Sequence, residues 1–137
     1  MAKVSGLGGI VTVQDAGGVA RVITNDTTNF TTSTPRAVED VTGVDKFAHE
    51  QILLLADIAV TLNGIFNTAT NLSHAVFSTI PSTSVNRSVA IQMSNSTPGT
   101  LTANCVLTDY QITRANTGEL TWQVPGQNAD GNVPVWS

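Results

Sequence analysis

Charge is scarce in this chain: Asp, Glu, Lys and Arg together make up 12% of its 137 residues, about half the share of an ordinary globular protein. The six basic residues, Lys3, Arg21, Arg36, Lys46, Arg87 and Arg114, are scattered and the formal net charge is −4, so no concentrated cationic footprint for nucleic-acid phosphates is present. Cysteine is nearly absent. Cys105 alone excludes an intrachain disulfide framework, and its place on an apolar strand face predicts a buried filler rather than a reactive thiol. Long apolar runs are missing too. No stretch approaches the ~20 residues of a spanning helix, so no membrane association is expected. Met1 to Gly9 is broken by glycines before an apolar run of signal-peptide length develops, and export by that route is not expected.

Signatures of chemistry begin and then fail. His49-Glu50 opens like a zinc-protease helix, but Gln51-Ile52-Leu53 follow and the second histidine never arrives. Gly6-Leu7-Gly8-Gly9 lacks the third glycine of a dinucleotide turn, and no βαβ unit comes after it. No serine sits in a nucleophile elbow, and the carboxylates are spread too thinly to form a pair. His74 is expected to be solvated or capped. The expectation is a chain that is not an enzyme and uses no cofactor and no metal.

What is abundant is short, polar and uncharged: Thr, Ser and Asn fill 41 of the 137 positions. A free monomer relies on interspersed charges for solubility. A surface of hydroxyls and amides therefore points to faces that neighbours cover, or that must not hold passing cargo.

The length implies one domain, residues 1–137. Its organising stretch is Gly99 to Gln127, two strand-like runs facing each other across Ala115-Asn116-Thr117-Gly118. Leu120, Trp122 and Val124 alternate with Glu119, Thr121 and Gln123, the period of a half-buried strand. In the first run Leu101, Ala103, Cys105 and Leu107 share a face, while Tyr110 and Ile112 take the opposite parity. A bulge or bend near Thr108-Asp109 would make that switch.

Upstream, Ile10 to Gln14 and Val19 to Thr24 predict a hairpin across Asp15-Ala16-Gly17-Gly18. Residues 25–51 read as a long excursion, with a short strand around Arg36 to Val41 and half of the ten acidic residues. Its apolar residues, Phe30, Val38, Val41, Val44 and Phe47, suit an arm that anchors elsewhere. Ile52 to Leu62 begins apolar on both parities, which predicts a central strand covered on both sides. Leu72, Ala75, Val76 and Ile80 carry the one helical spacing, predicting a short helix over about 70–80, with Thr70 or Asn71 as N-cap and Pro81 as terminator. Val85, Arg87, Val89, Ile91 and Met93 then alternate with Asn86, Ser88, Ala90, Gln92 and Ser94. Val85, Val89, Ile91, Met93, Leu120, Trp122 and Val124 are the expected core. Residues 126–137 read as a C-terminal tail in which Trp136 would be awkward to leave in water.

From about Val38 to Trp136 the chain resembles the major tail tube proteins of long-tailed, non-contractile (siphovirus-type) bacteriophages, of the kind infecting actinobacteria. The resemblance is carried by Leu55-Ala-Asp57-Ile-Ala-Val-Thr-Leu-Asn63-Gly64-Ile-Phe66-Asn67, His74-Ala-Val-Phe77, Leu107-Thr-Asp-Tyr110, Gly118-Glu-Leu-Thr-Trp122-Gln-Val124, Asp130-Gly131 and Pro134-Val-Trp136. It implies a mainly β fold, an antiparallel β-sandwich or half-open barrel with one short helix and a long loop or arm over 25–51. It also implies a structural virion protein whose hexameric rings stack into a tail tube assembled in the host cytoplasm, with tape-measure and tail-terminator proteins as further partners. Genomic DNA would pass through without specific binding. On that reading Asn86, Ser88, Gln92, Glu119, Thr121 and Gln123 line the lumen, and 25–51 is the arm between rings. The competing reading is a β-sandwich binding module, such as a phage decoration or receptor-binding domain, which would place an aromatic cluster in its loops.

Overall fold

Local alternation builds most of the strands in the computed structural model, which describes residues 3–95 and 99–137. The first hairpin forms as expected from β1 (Ile10–Gln14) and β2 (Ala20–Val22). Its turn is held by the Asp15 carboxylate, which accepts from the amides of Gly17 and Val19, while Gly18 supplies the left-handed φ of 82°. A 3-10 turn (Thr24–Asp26) leads into β3 (Thr27–Ser33). Then come β4 (Arg36–Asp40), β5 (Gln51–Ala56), β6 (Ala59–Ile65), α1 (Ser73–Phe77), β7 (Arg87–Gln92), β8 (Thr100–Leu107), β9 (Gln111–Arg114), β10 (Leu120–Asn128) and β11 (Val135–Trp136).

Nine of these strands form one sheet in the order β2-β1-β7-β8-β10-β6-β3, with β9 added to β10 and β11 to β8; every pair is antiparallel. The sheet bends where β10 leaves β9 and meets β8, pairing Gly126 with Leu107. The crossing is tight at glycine, because a Cβ on Gly126 would lie 3.0 Å from the end of the Leu107 side chain, which would have to give by a few tenths of an ångström. The bend folds the two halves over one core. Val11, Val13, Val89, Ile91, Leu101 and Cys105 come from one half, Ile58, Val60, Leu62, Trp122 and Val124 from the other, and Val76 and Phe77 of α1 close the gap. The edges β2 and β3 do not pair, and a cleft of about 370 Å³ lined by Gly6, Gly9, Val11, Phe30 and Met93 lies between β1 and β3. This is the expected mainly antiparallel β fold, sandwich-like, with one short helix.

Several details depart from the sequence reading. The parity switch after Leu107 is a break in the strand rather than a bulge within it. β8 ends, Thr108 donates to the Pro125 carbonyl, and β9 resumes against the other end of β10. The helix spans only 73–77, and neither Thr70 nor Asn71 caps it: Asn71 takes φ 63°, and the Ser73 amide donates 3.1 Å to the buried carboxylate of Asp26. The other Asp26 oxygen accepts from Asn67 at 2.9 Å, so one side chain ties the 3-10 turn to both ends of the 67–73 loop. Val85 and Leu120, assigned to the core, are each 37% exposed because they lie at the sheet's rim.

Arg87 lies on the core face with Val89 and Ile91, and its guanidinium is buried too, donating to the Val76 carbonyl (2.5 Å) and the Thr79 hydroxyl (2.8 Å). Burial lowers the pKa of that guanidinium. The tail starts only after Asn128, since residues 126–128 belong to β10. Trp136 in β11 pairs with Leu101 and remains about half exposed.

Candidate functional site

Among the described residues no group of three or more His, Cys, Asp or Glu side chains could hold a metal ion. The features that stand out are two surfaces and one cleft.

The first surface is the face of the nine-stranded sheet turned away from the core. Register places Thr12 beside Ala90, Ala90 beside Thr102, and Ser88 beside Asn104 in one half. In the other half Thr121 lies between Thr113 and Ile65, and Gln123 between Gln111 and Asn63. No ladder position on this face carries Asp, Glu, Lys or Arg. Its amides satisfy one another: Asn63 donates to the Asn29 side chain at 2.8 Å, along a polar groove of about 280 Å³ that also contacts Gln111 and Thr113. Ser88, Gln92, Thr121 and Gln123 all lie on this face. Asn86 precedes β7 and Glu119 sits in the β9–β10 turn, where its carboxylate accepts from Thr117 at 3.0 Å; both are exposed.

The second surface is the β4–β5 ribbon, whose strands pair only with each other among the described residues. It continues the β3–β6 ladder beyond a joint at Pro35 and Asp57. The Pro35 carbonyl accepts the Asp57 amide (2.9 Å), Asp57 caps the Ile58 amide (2.7 Å), and Arg36 donates twice to the Leu54 carbonyl (3.1 and 2.7 Å). Val38 pairs with Leu53 on one face and Glu39 with Ile52 on the other, so Leu53 and Leu55 project one way and Ile52 and Leu54 the other. Both faces are apolar and neither is covered: Leu55 is 86% exposed, and Val44 and Phe47 at the tip are fully so.

The tip is closed by polar contacts. Thr42 exchanges bonds with Glu50, and His49 lies 3.2 Å from Asp40. The Thr42 hydroxyl and amide, and then His49, hold the Asp40 carboxyl below its ordinary pKa.

This geometry corrects the boundaries read from the sequence. Residues 27–33 are not part of the arm but edge strand β3, and Phe30 is half-buried opposite Leu62, packed on the core. Val38, Val41, Val44 and Phe47 do project. The expected central strand over 52–62 is split at Asp57, and its apolar opening, Ile52 to Leu55, belongs to the ribbon. The signal was present as a run apolar on both parities. A start covered on both sides is what that run predicts, whereas Ile52 to Leu55 are all exposed in this chain.

A cleft of about 370 Å³ lies between the end of α1 and β9, with Ile80, Pro81, Leu107, Tyr110 and Ile112 in its walls. His74, expected to be solvated or capped, forms part of it and is half-buried with a side-chain partner. Its ring packs 4.9 Å from Phe66, and Nδ1 lies 3.2 Å from the Tyr110 hydroxyl. Burial raises the pKa of that phenol. Phe77 links Tyr110 to Trp122, with ring centroids 5.7 and 5.0 Å away, so the aromatic cluster belongs to the core's flank rather than to loop tips.

No protein-family model matches this sequence, and no curated protein matches it. Its fold does match solved structures. A chain in the tail of an empty gene transfer agent particle, a C6-symmetric structure, superposes with a TM-score of 0.74 at 12% identity, covering 93% of this chain and 94% of that one. A chain in the virion of a native gene transfer agent particle superposes with a TM-score of 0.71 at 13% identity, covering 93% and 95%.

Proposed function

We propose that this chain is a non-catalytic structural protein of a phage-like tail. On this reading it assembles with copies of itself into hexameric rings that stack into a tube for DNA. The observation that carries the reading is the end-to-end fold match to a chain of a C6-symmetric tail, with more than nine-tenths of both chains covered. Two features of this chain support it independently. A ribbon with two bare apolar faces is marginal in water by itself and is stabilised by burial against a neighbour. A sheet face without ionic side chains can wet DNA without forming ion pairs with its phosphates, which is what a conduit requires.

In this arrangement the face bearing Ser88, Gln92, Thr121 and Gln123 lines the lumen and the β4–β5 ribbon reaches the adjacent ring. Tape-measure and terminator proteins are the expected further partners, and the tail of the particle is the location. Negative-stain imaging of the purified protein, with mass measurement in solution, tests the proposal. Hollow rings or tubes with sixfold symmetry are the expected result. Monomers that stay dispersed at high concentration would overturn it and favour a binding module.

A further inference from the structure

We propose that the β4–β5 ribbon of one copy docks tip-first into the cleft between α1 and β9 of another copy, with Phe47 as the anchor and Asp45 facing Arg114. The inference rests on the assembly reading and names the contact through which one subunit grips the next. Phe47 has no role in its own monomer: it is fully exposed, on a loop with Val44 equally bare. A lone aromatic side chain presented in this way is the usual form of an interface anchor, which is most effective when it fills a preformed apolar pocket. The cleft between α1 and β9 supplies such a pocket. Its walls include Ile80, Tyr110 and the 42%-exposed Ile112, and its volume of about 370 Å³ falls within the range of natural binding pockets.

Charge selects this cleft over the one between β1 and β3, which has a similar volume but is lined largely by glycine, threonine and asparagine. Most of the cations are already occupied. Arg21 is paired with Asp15, Arg36 bonds to the Leu54 carbonyl, Arg87 is buried, and Lys46 rides on the tip itself. Among the described residues this leaves two exposed cations, Lys3 on the segment before β1 and Arg114 on β9. Arg114 lies on the same face of β9 as Ile112, about 7 Å further along the strand. Asp109 also lines the cleft. The tip presents the complementary pair, Asp45 and Lys46, immediately before Phe47. An apolar plug with one charge of each sign thus meets an apolar socket with one of each sign. Such an arrangement fixes orientation as well as affinity.

Disulfide trapping in the full-length protein tests the contact. Phe47→Cys with Ile112→Cys should give interchain cross-links under mild oxidation, while Phe47→Cys with Val133→Cys should not. All three positions are exposed, so folding is not at risk, and Cys105 is buried. Phe47→Ala should raise the concentration needed for assembly about tenfold or more. Arg114→Asp should weaken assembly, and Asp45→Arg added to it should restore it. An assembling parent whose Phe47→Ala variant assembles equally well, with no trapping between positions 47 and 112, overturns the docking and leaves the tail reading standing. A parent that never assembles removes both.

Discussion

Trp122 shows how much one side chain can carry in a core this small. It is 2% exposed, its indole nitrogen donates to the Ile65 carbonyl at 2.8 Å, and its ring packs on Phe77. Gly64 is the partner of that burial, since a Cβ there would overlap both the indole and the Asp26 carbonyl. Trp122→Ala should cost about 3–5 kcal/mol in urea unfolding of the monomer; a variant that melts like the parent would show that the ring is not part of the core. Asp26 joins distant elements through two charge-assisted bonds, and Asp26→Ala should cost about 1–3 kcal/mol, with faster amide exchange at Ser73. Cys105 is inert for a stated reason: burial, with a smaller contribution from the charge of Asp130, pushes its pKa up to about 11. An unfolded thiol ionises near ~8.5. The stability tied to this thiol is therefore intact below about pH 8.5 and is lost as pH rises toward 11. Thiol reagents at pH 8 should label Cys105 only as fast as the protein opens.

At the scale of elements, the proposed assembly makes the ribbon the part whose order should depend on a neighbour. Its strands form ladder bonds only with each other, while the adjoining β3 and β6 are held in the main sheet. Amide exchange should therefore divide sharply at the Pro35–Asp57 joint. Residues 36–56 should exchange fast in the monomer and slowly in assembled tubes, whereas 27–33 and 59–65 should be protected in both. Equal protection of the ribbon in both states would rule out its burial on assembly. The ribbon carries Glu39, Asp40, Asp45 and Glu50 against Arg36 and Lys46. Ribbons of like net charge repel around a ring, so moderate salt should promote stacking.

For the whole molecule, on the proposed tube reading the charge-free sheet face would matter through repetition, because ring symmetry would copy each substitution around the lumen. Ser88→Lys and Thr121→Lys lie in the two halves of the sheet, on the same face. Their side chains are only partly covered, so the monomer should fold normally. Particles carrying both should assemble and eject DNA more slowly, with a defect that shrinks as salt rises. Normal ejection at low salt would place this face away from the DNA.

Alternation over a few residues determined the strands at 10–14, 87–92 and 100–107 and the first half of that at 120–128, along with the two hairpin turns, since each is a property of near neighbours in the chain. The rest was decided by partners far away in sequence. Asp26 caps a helix 47 residues on, and Arg87 finds acceptors on α1 that no local pattern reveals. The boundary of the arm turned on the same limit: Phe30 is retained by Leu62 across the sheet, while Ile52 to Leu55, more apolar than most of the core, project into solvent. An apolar run states that its side chains need burial. Which surface supplies that burial, this chain's own sheet or another molecule, is set by where the chain's path leaves them, and only the tertiary structure shows that path.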